Sequence, residues 1–176
     1  MIIDIESNAK RIVKIKFILY PVIALLLCLL QISVVNFIEI GGLTPNLLII
    51  LTIWIAVTEG QFSGLFAAFG IGILLDILSY DVIGTNALAQ VLAAFVTGFF
   101  YKEGKNKLTV RKFFFMMIIF LGALSHNLVY FFLYIKFSEL NFFHFFLRYG
   151  IAATLYTTIF GFFPVLLNLP GRRYNI

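Results

Sequence analysis

From Phe17 to Ile38 the chain runs for 22 residues without a charge. A helix of that length rises about 33 Å and covers a hydrocarbon core of roughly 30 Å. Four basic residues, Lys10, Arg11, Lys14 and Lys16, precede it. That pattern is shared with secretory signals, but the run is too long and no small-x-small cleavage site follows. We expect a retained first membrane helix. The rest of the chain agrees, being 62% hydrophobic and only 12% charged. Soluble domains carry about 25% charged residues, so too little polar surface remains to coat a water-soluble globule.

Breaks in the apolar pattern divide residues 1–176 into six expected helices within one membrane domain. They fall at about 17–38, 45–58, 61–79, 86–101, 113–135 and 150–169, an all-α polytopic protein. Gly41 and Gly42 end the first. Thr44 is expected to cap the second, with Pro45 at its first helical position, where a missing N–H costs nothing. The second segment is short. Segments two and three either both cross or form a re-entrant hairpin; crossing is expected, because loop backbone exposed to lipid has no hydrogen-bond partners. Eleven of the 13 Lys and Arg residues lie in the N-terminal arm, in loop 102–112 and in the C-terminal tail. The two others, Lys136 and Arg148, lie between spans five and six. By the positive-inside rule both termini are cytoplasmic. The net charge of +5 thus reports orientation, not nucleic-acid binding. In 137–149, Asn141, His144 and Arg148 form a polar stripe among phenylalanines. This segment is either an interfacial helix or a tilted start to span six.

Asp76 interrupts span three, in GILLDILS (72–79). Gly60, Gly64, Ala68 and Gly72 recur every four residues before it. On a helix such a ridge lets another backbone come close, and Asp76 continues it. An intramembrane acid costs about 2.5–3.5 kcal/mol, so it needs partners. Candidates are Tyr80, Thr85, Asn86, His126 and Asn127. The free N–H groups at the start of helix four, near Thr85 and Asn86, suit a carboxylate. Asp76 is therefore expected to anchor turn 79–86; direct ligand or proton chemistry is the alternative. Asp81 reads as an exposed turn residue and Glu59 as a solvated helix-end charge. His126 and Asn127 are read as interhelical hydrogen-bonding residues, or else as the lining of a polar cavity with Trp54 and Tyr156. Cys28, the single cysteine, reads as a small buried hydrophobe. No metal-ligand spacing, phosphate loop or nucleophile–base pairing appears, so neither enzymatic activity nor a cofactor is expected, and no inverted repeat of the transporter kind is evident.

PNLLIIL (45–51), FGIGILLDILS (69–79) and IGTNAL (83–88) together resemble the core signature of MreD, the bacterial rod shape-determining membrane protein. The matching positions are Pro45, Gly72, Asp76, Gly84, Asn86 and Leu88, and the resemblance covers about residues 40–100. It implies a non-enzymatic inner-membrane scaffold of the cell-elongation machinery. Such a protein binds MreC and helps couple cytoplasmic MreB filaments to peptidoglycan synthesis by RodA and penicillin-binding protein 2. It also implies a fold similar to the six-helix substrate-binding subunits of energy-coupling-factor transporters. Candidate structural or partner-binding residues are Pro45, Asn46, Gly60, Gly64, Ala68, Gly72, Asp76, Gly84, Asn86, His126 and Asn127. The glycine ridge serves either a partner's helix or packing within the chain, and turn 79–86 is a second candidate contact. Loop 102–112 is a candidate for acidic lipid headgroups or a cytoplasmic filament, with orientation alone the default reading. The alternative function is a small-solute-binding transport subunit with a pocket near Asp76, Asn86 and His126.

Overall fold

The computed structural model describes residues 2–101, 112–135 and 142–163. The basic loop 102–111, Lys136, Asn141 and the Arg172–Arg173 tail lie outside them. Helices are α1 (Ile2–Ser33), α2 (Leu47–Glu59), α3 (Gln61–Ser79), α4 (Thr85–Gly98), α5 (Lys112–Ile135), α6 (Phe142–Phe145) and α7 (Ile151–Phe160). Among the described residues there is no strand beyond one isolated bridge, Ile40 to Leu43. Three stretches are long and apolar enough to cross a membrane: Ile15–Ser33, Gln61–Ser79 and Phe113–Ile135. Helices α2 and α4 are shorter, 13 and 14 residues, or about 20 Å at 1.5 Å per residue.

Helix α2, LLIILTIWIAVTE, is apolar all round, and a helix of that kind belongs at the centre of a bundle. It sits there. One face packs on α5, where Ile49, Ile53 and Val57 meet Phe115, Ile118 and Ile119. Trp54 stands edge-on to Phe115, with centroids 5.5 Å apart, so it packs into this core. A second face, Leu48 and Ile55, meets Ala24 and Cys28 of α1 and Ile71 and Leu75 of α3. Small residues Ala56, Ala68 and Ala94 close the gap among α2, α3 and α4. The exterior is phenylalanine-rich: Phe17, Phe62, Phe66 and Phe113 are all largely exposed.

Successive helices reverse direction between two ends. At one end Lys16 Nζ donates to both Glu59 oxygens, at 2.8 and 3.0 Å, and Tyr20 Oη donates to Glu59 at 2.7 Å. Glu59 is thus a paired group and not the solvated charge expected. Gly60 alone separates α2 from α3; its φ of 105° lets the chain reverse there, and a Cβ at this position would meet the Tyr101 ring at 3.7 Å. These contacts put the beginning of the apolar stretch of α1, at Ile15, and the approach to loop 102–111 at the same end. Because α1 is otherwise lightly held, the Glu59→Ala change should free it. Losing a partly exposed ion pair and a phenol bond costs about 1 kcal/mol. Maleimide labelling of Cys28, which is fully buried against α2 and α3, should accelerate about fivefold through local opening. An unchanged labelling rate would show that Glu59 does not hold α1.

At the opposite end the start of α2 departs from expectation. Asn46, not Thr44, is the cap: its Oδ1 accepts from Leu48 N and Ile49 N, both at 3.1 Å. Pro45 precedes the helix, and its carbonyl accepts from Gln31 Nε2 at 3.0 Å. Gln31 Oε1 takes Leu47 N at 2.9 Å, and Thr157 Oγ1 takes Asn46 N at 3.1 Å. A helix that starts inside an apolar bundle has no water for its first N–H groups, so the Asn46 side chain and side chains of α1 and α7 supply the acceptors. Asn46→Ala should therefore cost about 1–2 kcal/mol in thermal unfolding in detergent; a change under a few tenths would remove Asn46 from this role.

Helix α1 ends at Ser33, with a 3-10 turn over Val35–Ile38 in place of the expected continuation. Pro21 lies within it without ending it. Tyr156 Oη donates to the Ile38 carbonyl at 2.6 Å, which ties the turn to α7. Helix α4 starts at Thr85 and ends at Gly98, because turn 80–84 closes on Asp76 first. The described part of 137–149 is helical from Phe142 and joins α7 through a π-helical stretch, Phe146–Gly150. It is therefore the start of the last helix, not a separate interfacial one.

Candidate functional site

Asp76 is fully buried, one turn from the end of α3. Its Oδ2 accepts from Gly84 N at 2.7 Å, with Ala87 N at 3.5 Å. Its Oδ1 accepts from Asn86 N at 3.0 Å and Asn86 Nδ2 at 2.9 Å. The acid is held by the free N–H groups of the α4 N-terminus, where the partial positive charge of the helix also favours it. Gly84, at φ 101°, directs its N–H inward from the turn. Asn86 thus serves twice, through backbone and side chain. One turn earlier on α3, Gly72 lies under the same junction. A Cβ there would fall 2.6 Å from Ala87 N and 2.9 Å from the Asn86 carbonyl carbon. Acid and glycine act together: absence of a side chain at 72 brings α4 close enough for the carboxylate at 76 to reach its amides.

The rest of the ridge is consumed in the same way. A Cβ at Gly64 would meet Ala56 Cα at 2.5 Å, and Ala68 is fully buried between α2 and α4. The seam is filled from within the chain, which removes Gly60, Gly64, Ala68 and Gly72 as a docking face for a partner's helix.

A second polar group lies on α5. Asn127 Nδ2 donates to Thr154 Oγ1 at 2.9 Å and more weakly to the Gly150 carbonyl at 3.4 Å. This orients the amide, so its Oδ1 faces His126 Nδ1 at 3.3 Å. Thr154 Oγ1 passes its own proton to the Gly150 carbonyl at 2.8 Å. His126 is 2% exposed and its Nε2 has no protein partner. Among the described residues no three His, Cys, Asp or Glu side chains converge to hold a metal ion.

Both groups border one cleft of about 830 Å³ over the N-terminal ends of α2 and α4. Asn46, Asn86, His126 and Asn127 all line it, whereas Asp76, Trp54 and Tyr156 do not. Helix α2 starts level with the last turn of α1, and the cleft lies above it beside α5. Several participants were not singled out from the sequence. Gln31 and Thr157 support the α2 start. Tyr130 donates to Asp81 Oδ2 at 3.2 Å. Gln90 is buried, accepts from Thr52 Oγ1 at 2.8 Å, and keeps a Nε2 without a protein partner. Gln90 had a sequence signal: it lies four residues after Asn86 on the same helix face, within an apolar run.

The fold and the buried polar junctions define an all-helical chain whose three long apolar helices are consistent with a membrane protein. No protein-family model, no curated protein and no solved structure matches it.

Proposed function

We propose that this chain is a multi-pass scaffold of the bacterial cell-elongation machinery, of the MreD kind, in the inner membrane. All six helical passes cross, both termini are cytoplasmic, and the Asp76 end faces the periplasm. The scaffold binds MreC and through it helps couple MreB filaments to peptidoglycan synthesis by RodA and penicillin-binding protein 2. Contacts with partners are non-enzymatic and made by helix faces and turns, since little of the chain among the described residues lies outside the helices.

The observation that carries this reading is the conformation of Tyr80. It is 96% exposed and adopts φ 57°, the only left-handed residue among the described ones that is not glycine. The left-handed backbone ends α3, with Tyr80 N–H on the Asp76 carbonyl, a role that glycine fills without strain; an exposed tyrosine in its place gains nothing from packing, and such outliers cluster at functional positions. Val82 and Ile83 are also exposed in the same turn. The Asp76 junction holds this apolar turn out at the periplasmic surface, where the ectodomain of a single-span partner is within reach. Tyr80→Gly then separates fold from function. Relief of the left-handed strain should stabilise the protein by about 1 kcal/mol, a rise of about 2–4 °C in Tm. Copurification of MreC from native membranes should fall at the same time. Full retention of MreC by the more stable variant would refute the turn as the contact.

A second reading, a small-solute transport subunit, is favoured by the cleft beside His126. Depletion separates the two: loss of a scaffold turns rods round whatever the medium, whereas loss of a transport subunit is rescued by its nutrient.

A further inference from the structure

The walls of the cleft have a consistent chemistry. Asp81 lines it, and its carboxylate is held by Val82 N at 2.9 Å and Tyr130 Oη at 3.2 Å, with Asn86 Nδ2 at 3.5 Å. No lysine or arginine among the described residues pairs with it or lines the cleft. The His126 ring borders the cleft, but its Nε2 is closed off behind the wall and is not offered to a ligand. Aromatic rings complete the enclosure. His126, Tyr130 and Tyr134 stack in succession, at 5.8 and 6.2 Å between centroids. Tyr149 approaches from the last helix. A carboxylate without a cationic partner and ring faces beside it favour a cation that donates hydrogen bonds.

We propose that this cleft is a binding site for an organic ammonium group, with Asp81 as its counter-ion and the Tyr130, Tyr134 and Tyr149 rings enclosing the apolar part. The volume exceeds that of a bare ammonium and fits a ligand with a body attached. The ammonium belongs either to a free amine or to the head of an aminophospholipid, which reaches the same depth from the membrane surface. Asp81 shares its turn with Tyr80, which also borders the cleft, but ammonium preference is read on the isolated protein and stands or falls apart from MreC binding.

The test uses the full-length protein in non-ionic detergent, with native mass spectrometry and thermal unfolding as readouts. Probes are phosphatidylethanolamine and, as a free amine, tyramine. Phosphatidylglycerol and 4-ethylphenol serve as matched probes without the ammonium. At least one ammonium probe should bind tenfold or more tightly than its match and raise Tm. Asp81→Asn, which keeps an acceptor for Val82 N but turns an NH2 toward other donors, should abolish that preference and lower the unliganded Tm by a few degrees at most. Tyr149→Leu, which removes a ring and no hydrogen bond within the fold, should weaken binding severalfold and guards against misfolding of the first variant. Competition of phosphatidylethanolamine by tyramine assigns the site to free amines as well as lipid; binding of the lipid alone assigns it to the headgroup. Equal binding of ammonium probes and their matches, no binding of any probe, or a preference that survives Asp81→Asn overturns the proposal.

Discussion

Gly72→Ala is expected to destabilise the folded protein by about 3 kcal/mol, a fall of roughly 9 °C in Tm for a chain of this size. The added methyl meets the α4 backbone at Asn86 and Ala87, not the mobile end of a side chain. It is accommodated only if α3 and α4 separate. Separation pulls Gly84 N and Asn86 N away from the Asp76 carboxylate, so the clash also loosens the hydrogen bonds above it. Gly72→Leu should yield no folded protein. Gly70→Ala, two residues away on the same helix, is the control: no atom lies within 4 Å of its Cβ position. There the better helix propensity of alanine should leave stability unchanged or raise it by up to about 1 kcal/mol. Ala67→Leu, at the margin of the α1–α3 contact, should cost less than Gly72→Leu. Thermal unfolding of Gly72→Ala at the parent temperature would show that the close approach of α3 and α4 is not required.

Asp76→Asn should cost about 2–4 kcal/mol although the two side chains have the same shape. All four groups facing the carboxylate, Gly84 N, Asn86 N, Asn86 Nδ2 and Ala87 N, are donors. An amide offers one acceptor and turns its own NH2 toward at least one of them. Asp76→Ala removes every acceptor and should cost about 3–5 kcal/mol, the amount typical of breaking a buried, fully bonded charge. Hydrogen exchange locates the effect. Protection of the Gly84 and Asn86 amides should disappear in Asp76→Asn, while that of Leu48 and Ile49, capped separately by Asn46, should persist. Undiminished protection at Gly84 and Asn86 would mean that Asp76 does not hold the turn.

How far the residues foretold this arrangement differs from place to place. The tie between Asp76 and the α4 start was readable, because an acid in an apolar run must find donors and a helix N-terminus six or more residues on is the nearest supply. The long apolar helices were readable for a similar reason: length and uninterrupted hydropathy are local properties. The α2 cap was not. Thr44 and Asn46 are both good caps, and the choice rests on Gln31 and Thr157, which are 15 and 111 residues from Asn46. Glu59 was misjudged for the same reason, since its partner Lys16 lies 43 residues away.

By itself the sequence determined that this chain folds as apolar helices, and that an acid, a histidine and two asparagines within them require partners. Hydrophobic transfer and the cost of unsatisfied polar groups act on each residue whatever its neighbours. Only the tertiary structure decided who those partners are, that the glycine seam is closed by the chain's own α2 and α4, and that a cleft remains above α2. Those outcomes depend on the mutual placement of helices far apart in the chain, and no local pattern of residues encodes a distance between them.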